Sequence, residues 1–146
     1  MSDSDLIQLY SKQILALAAD IPHLGQLDSP QARVKKRAPL CGSTVTVDVV
    51  VKDGRVAQFA QNVKACALGQ ASASILGRHV IGRSLDDLTA TRDALAAMLK
   101  DDGPTPPPPF EGFEVLRPAR DFKNRHASIL LALEATLEAM TQAQAL

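Results

Sequence analysis

The sequence predicts an α+β fold, a small antiparallel sheet packed against several helices, on three observations. First, Val45, Val47, Val49 and Val51 alternate with Thr44, Thr46 and Asp48. That is the two-residue period of a strand with one buried face. Second, Asp53-Gly54 follows at once, a strong signal for a two-residue hairpin turn, and Arg55 to Asn62 reads as the returning strand. The hairpin therefore covers about residues 44–62, with a candidate third strand beside it. Third, helical patterns flank this hairpin in blocks. The order helix, hairpin, helices argues for α+β and against alternating β/α units.

The elements follow in order. Between Asp3 and Ala19, Leu6, Leu9, Tyr10, Gln13, Ile14 and Leu17 recur at helical spacing, with Ser2 or Ser4 as the cap. Pro22, Gly25 and Pro30 break the pattern. Arg33 to Arg37 is basic and reads as a solvated loop. After Cys66 the run Ala67 to Leu76 is small and helical, with Gly77 as its C-cap. Ser84-Leu85-Asp86-Asp87 resembles a capping box with Asp in the usual Glu position, and Leu85, Leu88, Arg92, Leu95 and Leu99 continue the helix it opens. Asp102 to Pro109 holds five prolines and one glycine, so it is a stiff surface loop. Pro118 suits the first turn of a final helix whose apolar face is Ile129, Leu130, Leu133, Leu137 and Met140.

The 146 residues fit one domain, 1–146, without internal repeats. Aromatic residues make up only 3% and Trp is absent, so the core must rest on Leu, Val, Ile and Ala. A formal net charge of zero argues against a nucleic-acid or anionic-membrane partner. No apolar run approaches the roughly 18 residues that span a bilayer. The acidic start Met1-Ser2-Asp3-Ser4-Asp5 lacks the features of a signal peptide. A cytoplasmic protein with reduced cysteines is expected. No phosphate-cradling glycine loop, serine-nucleophile motif or paired-histidine metal motif occurs, so an independent enzyme is not expected.

Two cysteines carry the chemistry. Cys41 sits in a turn before the first strand and Cys66 between the second strand and a helix. A hairpin returns the chain to the end it left, so the two thiols are expected at one edge of the sheet. A helix start at Cys66 would favour the thiolate, the form that binds metal or accepts sulfur. By spacing alone two isolated cysteines make no metal motif and are more simply buried space-fillers. Of the three histidines, His23 reads as a surface residue of a turn and His79 as structural or solvated. His126, early in the last helix, is the one candidate ligand.

Here a resemblance becomes specific. Pro39-Leu40-Cys41-Gly42-Ser43 resembles the first ligand motif, Pro-x-Cys-Gly-Asp, of the IscU/SufU/NifU family of iron–sulfur cluster assembly scaffolds. Val63-Lys64-Ala65-Cys66-Ala67 with Ala71-Ser72-Ala73-Ser74 resembles the second, Gly-Cys-Ala followed by Ala-Ser-Ala-Ser. Lys52-Asp53-Gly54-Arg55 matches the family hairpin, and Arg125 to Ala135 resembles its last block, Arg-x-x-Cys-x-x-Leu-Ala. The insertion with Pro104 to Pro109 is similar to the SufU branch, and the Leu-Pro-Pro-Val-Lys segment of IscU is absent.

The resemblance implies a metal site at Cys41, Cys66 and His126, with either cysteine as sulfur acceptor. It implies a transient iron–sulfur cluster or zinc as cargo, and a cysteine desulfurase and iron–sulfur acceptor proteins as partners. The departures are as informative. The family Asp is Ser43 here, Ala65 replaces a Gly, and the third Cys falls on Ser128 or, one register away, on Ala127. Two anionic ligands are lost, which implies a weaker or more open site. Three roles follow: a scaffold or carrier, a zinc-bound sulfur acceptor, or a metal-free paralogue that acts through protein interactions.

Overall fold

The computed structural model describes residues 11–39 and 42–146. Their elements run α1 (Lys12–Ala18), β1 (Ala32–Arg37), β2 (Thr44–Lys52), β3 (Arg55–Lys64), α2 (Ala67–His79) and α3 (Leu85–Asp101). A long 3-10 segment (Glu111–Asp121), a 3-10 turn (Lys123–Arg125) and α4 (His126–Gln144) follow. The strands form one antiparallel sheet in the order β1-β2-β3. The α+β class read from the sequence holds.

The hairpin forms as its pattern requires. Asp53 and Gly54 both take positive φ, 54° and 76°, as a two-residue turn between twisted strands demands. Val45, Val47 and Val49 face inward and are fully buried, opposite Val63, Gln61 and Phe59. A register shift at Val50/Val51 ends this alternation, which leaves Val51 half-buried.

The third strand is β1, in the stretch read from sequence as a basic loop. Ala32 and Val34 point into the core while Arg33, Lys35 and Arg37 point out. With two apolar positions among four cations, the alternation is hidden by composition, and such charges are typical of an edge strand. Across the pair, Arg33 donates from Nε and Nη2 to the two oxygens of Asp48 at 2.7 and 2.8 Å, and Leu27 N–H adds a third bond at 3.0 Å. Burial alone would raise the Asp48 pKa. The bonds from Arg33 and Leu27 outweigh it and hold the carboxyl below the usual range.

α4 is the central helix. It lies across the inner sheet face and packs on β1, β2, α2 and α3. Ile129, Leu131, Leu133, Ala135, Ala139 and Met140 are all buried, so it is sequestered on more than the single stripe expected.

Ser11 caps α1 by accepting from Ile14 N–H. The earlier half of the expected helix and its caps Ser2 and Ser4 lie outside the described residues. Ser84 and Asp87 form the expected capping box at α3. Asp102 to Pro109 is the expected irregular loop.

Two further expectations are corrected. Gly77 is not a C-cap but lies inside α2, which runs to His79. A Cβ there would meet Pro22 Cγ and Gln61 Nε2 at 3.0 Å, so glycine lets the Pro22 turn and β3 close on the helix. Pro118 does not open the final helix but sits in the 3-10 segment. Phe113, Leu116, Ala119 and Phe122 are buried at intervals of three, the period of a 3-10 helix, which lines one face against the core.

Candidate functional site

The site forms where three chain segments meet: the end of the turn before β2, the start of α2 and the start of α4. Cys66 is the N-cap residue of α2, with extended backbone and a half-buried side chain that makes no capping bond. Ala38 N–H donates to Ser43 O at 2.8 Å and Gly42 N–H to Ala38 O at 3.0 Å, which hold Gly42 and Ser43 beside Ala38. Gly42 takes φ of 70°, a conformation that glycine adopts without strain. Cys41 itself lies outside the described residues.

Side chains from the three segments form a chain of contacts. Ser128 Oγ donates to Ser43 Oγ at 2.8 Å. Cys66 Sγ lies 3.7 Å from Ser128 Oγ, within hydrogen-bond range for sulfur. Ser43 and Ser128 are 4% and 1% exposed, whereas Ala127 is exposed. Of the two registers open in the sequence, residue 128 is the one that faces Cys66.

Close helix packing makes this possible. A Cβ on Gly69 would stand 2.8 Å from both Ala65 Cβ and Ser128 Oγ. Three residues on, Ser72 Oγ donates to the carbonyl of Ile129. The small run after Cys66, legible in the sequence as helical, thus has a second consequence: it lets α4 come near enough for residue 128 to reach the thiol. Gly69 was missed as a site determinant, although its place three residues after Cys66 was the available signal.

His126 is not brought into this cluster. Two residues before Ser128, it projects about 200° around the helix from it. Its Nε2 lies 3.0 and 3.1 Å from the carbonyl oxygens of Ala119 and Arg120, so Nε2–H is the donor and fastens the 3-10 segment to α4. The ring lines a surface hollow with Leu99, Lys100, Asp101 and Lys123. His23 and His79 meet Phe59 and Phe110 edge-on and are exposed, as a surface role implies.

The described cluster offers one thiol and two hydroxyls. Among the described residues no three His, Cys, Asp or Glu side chains gather as a metal ion would require. Neutral hydroxyls hold soft metals far more weakly than thiolates do. Taken alone these three side chains do not fit a tightly held resident zinc or cluster, which calls for about four strong ligands.

The family model described as NifU-like N terminal domain matches residues 9–112. The chain belongs to that NifU-like family. The IscU iron–sulfur cluster assembly scaffold protein of Streptococcus pyogenes serotype M1 is 26% identical over 140 residues, 96% of this chain and 87% of that one. The N-terminal NifU-like protein of Brucella abortus, described as nitrogen-fixing, superposes with a TM-score of 0.93 at 45% identity, covering 97% and 98% of the two chains. A SUF-system scaffold candidate from Fervidobacterium islandicum AW-1 gives a TM-score of 0.79 at 16% identity over 92% and 98%, which shows the shared fold. The NifU-like fold accounts for the three-stranded sheet and the helices around it. No helix among the described residues is long and apolar enough to cross a membrane.

Proposed function

We propose that this NifU-like chain is an iron–sulfur cluster assembly scaffold or carrier that holds iron or a nascent cluster loosely. The observation that carries the reading is the convergence of Cys66, Ser128 and Ser43, the described residues at ligand positions implied by the family resemblance. Cys66, with Cys41 by the family resemblance, supplies the soft ligands. Ser43 and Ser128 keep the shape of the remaining positions without their charge. His126 is left out of the set, since it projects from another side of α4 than Ser128 and reaches the Ala119 and Arg120 carbonyls instead. The cargo is therefore held by few thiolates and is easily surrendered, which suits a carrier. A cysteine desulfurase as sulfur donor and iron–sulfur acceptor proteins as recipients belong to the same reading.

The test is anaerobic reconstitution with ferrous iron and sulfide. Acid-labile sulfide and a cluster absorption band are expected in the wild type and lost in Cys66→Ser. Wild-type protein that takes up neither iron nor sulfide would overturn the reading.

A second reading is favoured by one observation: the half-buried Cys66 thiol stands at the N-terminus of α2. In that role Cys66 thiolate attacks the terminal sulfur of a desulfurase persulfide. A Cys66–S–SH forms, the donor's S–S bond breaks and the donor cysteine leaves as thiolate, so no outside oxidant is needed. Mass spectrometry after incubation with desulfurase and cysteine should find 32 Da, the mass of one sulfur, added at Cys66. Addition only at Cys41 would reject it.

A further inference from the structure

Among the described residues no helix packs on the outer face of the sheet, and one row of it is nonetheless covered. Asp48 and its neighbour Ala60 are buried there, and Leu27 N–H bonds to the Asp48 carboxylate, so the segment before β1 lies over that row. Two rows stay open. One runs Lys35–Thr46–Asn62 and the next Arg37–Thr44–Lys64 across the three strands. Cross-strand partners share a face, so these six side chains point the same way.

Five of them, Lys35, Thr44, Thr46, Asn62 and Lys64, line a hollow of about 60 Å³. Each can donate a hydrogen bond: two ammonium groups, two hydroxyls and one amide. No carboxylate lines the hollow, and the nearest one on this face, Asp48, is already neutralised by Arg33. The five side chains make no hydrogen bond or ion pair with the described residues. Lys36, by contrast, points to the inner side and pairs with Glu138 at 3.8 Å.

Lysines on an edge strand have a plainer use, since they deter edge-to-edge association. That use needs charge on β1. It does not call for hydroxyls on the central strand, an amide on β3 or a second lysine across the sheet.

We propose that this hollow is an oxyanion site, built to receive a phosphate group or a carboxylate. Its volume suits one such group. Its donors surround the group from three strands, two of them charged, and charge-assisted bonds are the stronger kind. Lys64 is the last residue of β3 and stands two residues before Cys66 in the chain, so the hollow lies at the end of the sheet that leads into the candidate site. The proposal does not depend on what Cys66 carries.

The test is an amide-NMR titration of the full chain with sodium phosphate, and separately with an acetylated, amidated Glu-containing tripeptide. Sodium chloride at matched ionic strength is the control. Saturable shifts centred on Thr44, Thr46 and Asn62 are expected with one of the two probes and not with chloride. Saturation by phosphate identifies the source as a free or ligand-borne phosphate. Saturation by the peptide alone identifies a protein carboxylate. Lys35→Glu/Lys64→Glu should raise Kd at least tenfold. Thr46→Val, which preserves charge and strand propensity, should raise it about threefold. Equal, non-saturating shifts with all three salts would overturn the proposal. Thr46→Val binding like the wild type while the charge reversal abolishes binding would also overturn it, because diffuse charge would then suffice.

Discussion

Gly69→Ala tests the packing that assembles the site. Alanine inside a helix is ordinarily favoured over glycine by about 1 kcal/mol. Here the added methyl carbon would lie 2.8 Å from Ala65 Cβ and from Ser128 Oγ, with Ser128 O at 3.2 Å. Ala65 has no side-chain torsion through which to withdraw. Ser128 can move only by giving up its buried bond to Ser43. Overpacking of this kind costs about 1–3 kcal/mol, and the disturbed hydrogen bond adds about 1 kcal/mol. The penalties exceed the propensity gain, so a net loss of about 1–3 kcal/mol is expected. For a chain of this length that lowers Tm by roughly 3–10 °C. Urea denaturation followed by circular dichroism measures the change. A variant as stable as the wild type, or more stable, would refute the close approach of α2 and α4 at Gly69.

Other outcomes follow from the same structure. Asp48 has a depressed pKa, so its contribution is fully present above the unfolded value, near 3.9, and fades as pH falls through the lower folded value. Stability should therefore drop below about pH 4, and Asp48→Asn should flatten that part of the profile while costing roughly 2 kcal/mol at neutral pH. Ser84→Ala, which opens the capping box of α3, should cost about 1 kcal/mol by thermal melting. His126→Ala removes the tie to the Ala119 and Arg120 carbonyls and should destabilise by about 1 kcal/mol, yet leave iron uptake at the wild-type level. Iron uptake lost along with His126 would place the ring in the ligand set.

Local signals made much of the fold legible. Asp53-Gly54 and the valine alternation located the hairpin because turn chemistry and side-chain period act within a few residues. β1 escaped notice because its partner lies elsewhere in the chain: Arg33 is explained by Asp48, fifteen residues on. Pro118 misled because proline suits both the first turn of an α-helix and a 3-10 segment. The deciding clue was the three-residue spacing of Phe113, Leu116, Ala119 and Phe122.

In the site, Cys66 at a helix start could be read from the small run that follows it. Whether position 127 or 128 faces the thiol could not, because one residue along a helix turns a side chain by about 100°. Which of the two does so depends on how α4 crosses the sheet. His126 was attractive by residue type, but its partners are main-chain carbonyls, which a sequence does not display.

Cobalt(II) spectroscopy of cysteine-scanning variants tests the central arrangement most directly, since each thiolate ligand adds to the sulfur-to-metal charge-transfer band. Ser128→Cys should strengthen that band by one thiolate and tighten cobalt binding, and Ala127→Cys should leave both unchanged. Enhancement at position 127 and none at 128 would contradict the proposed convergence of the three segments on one metal position.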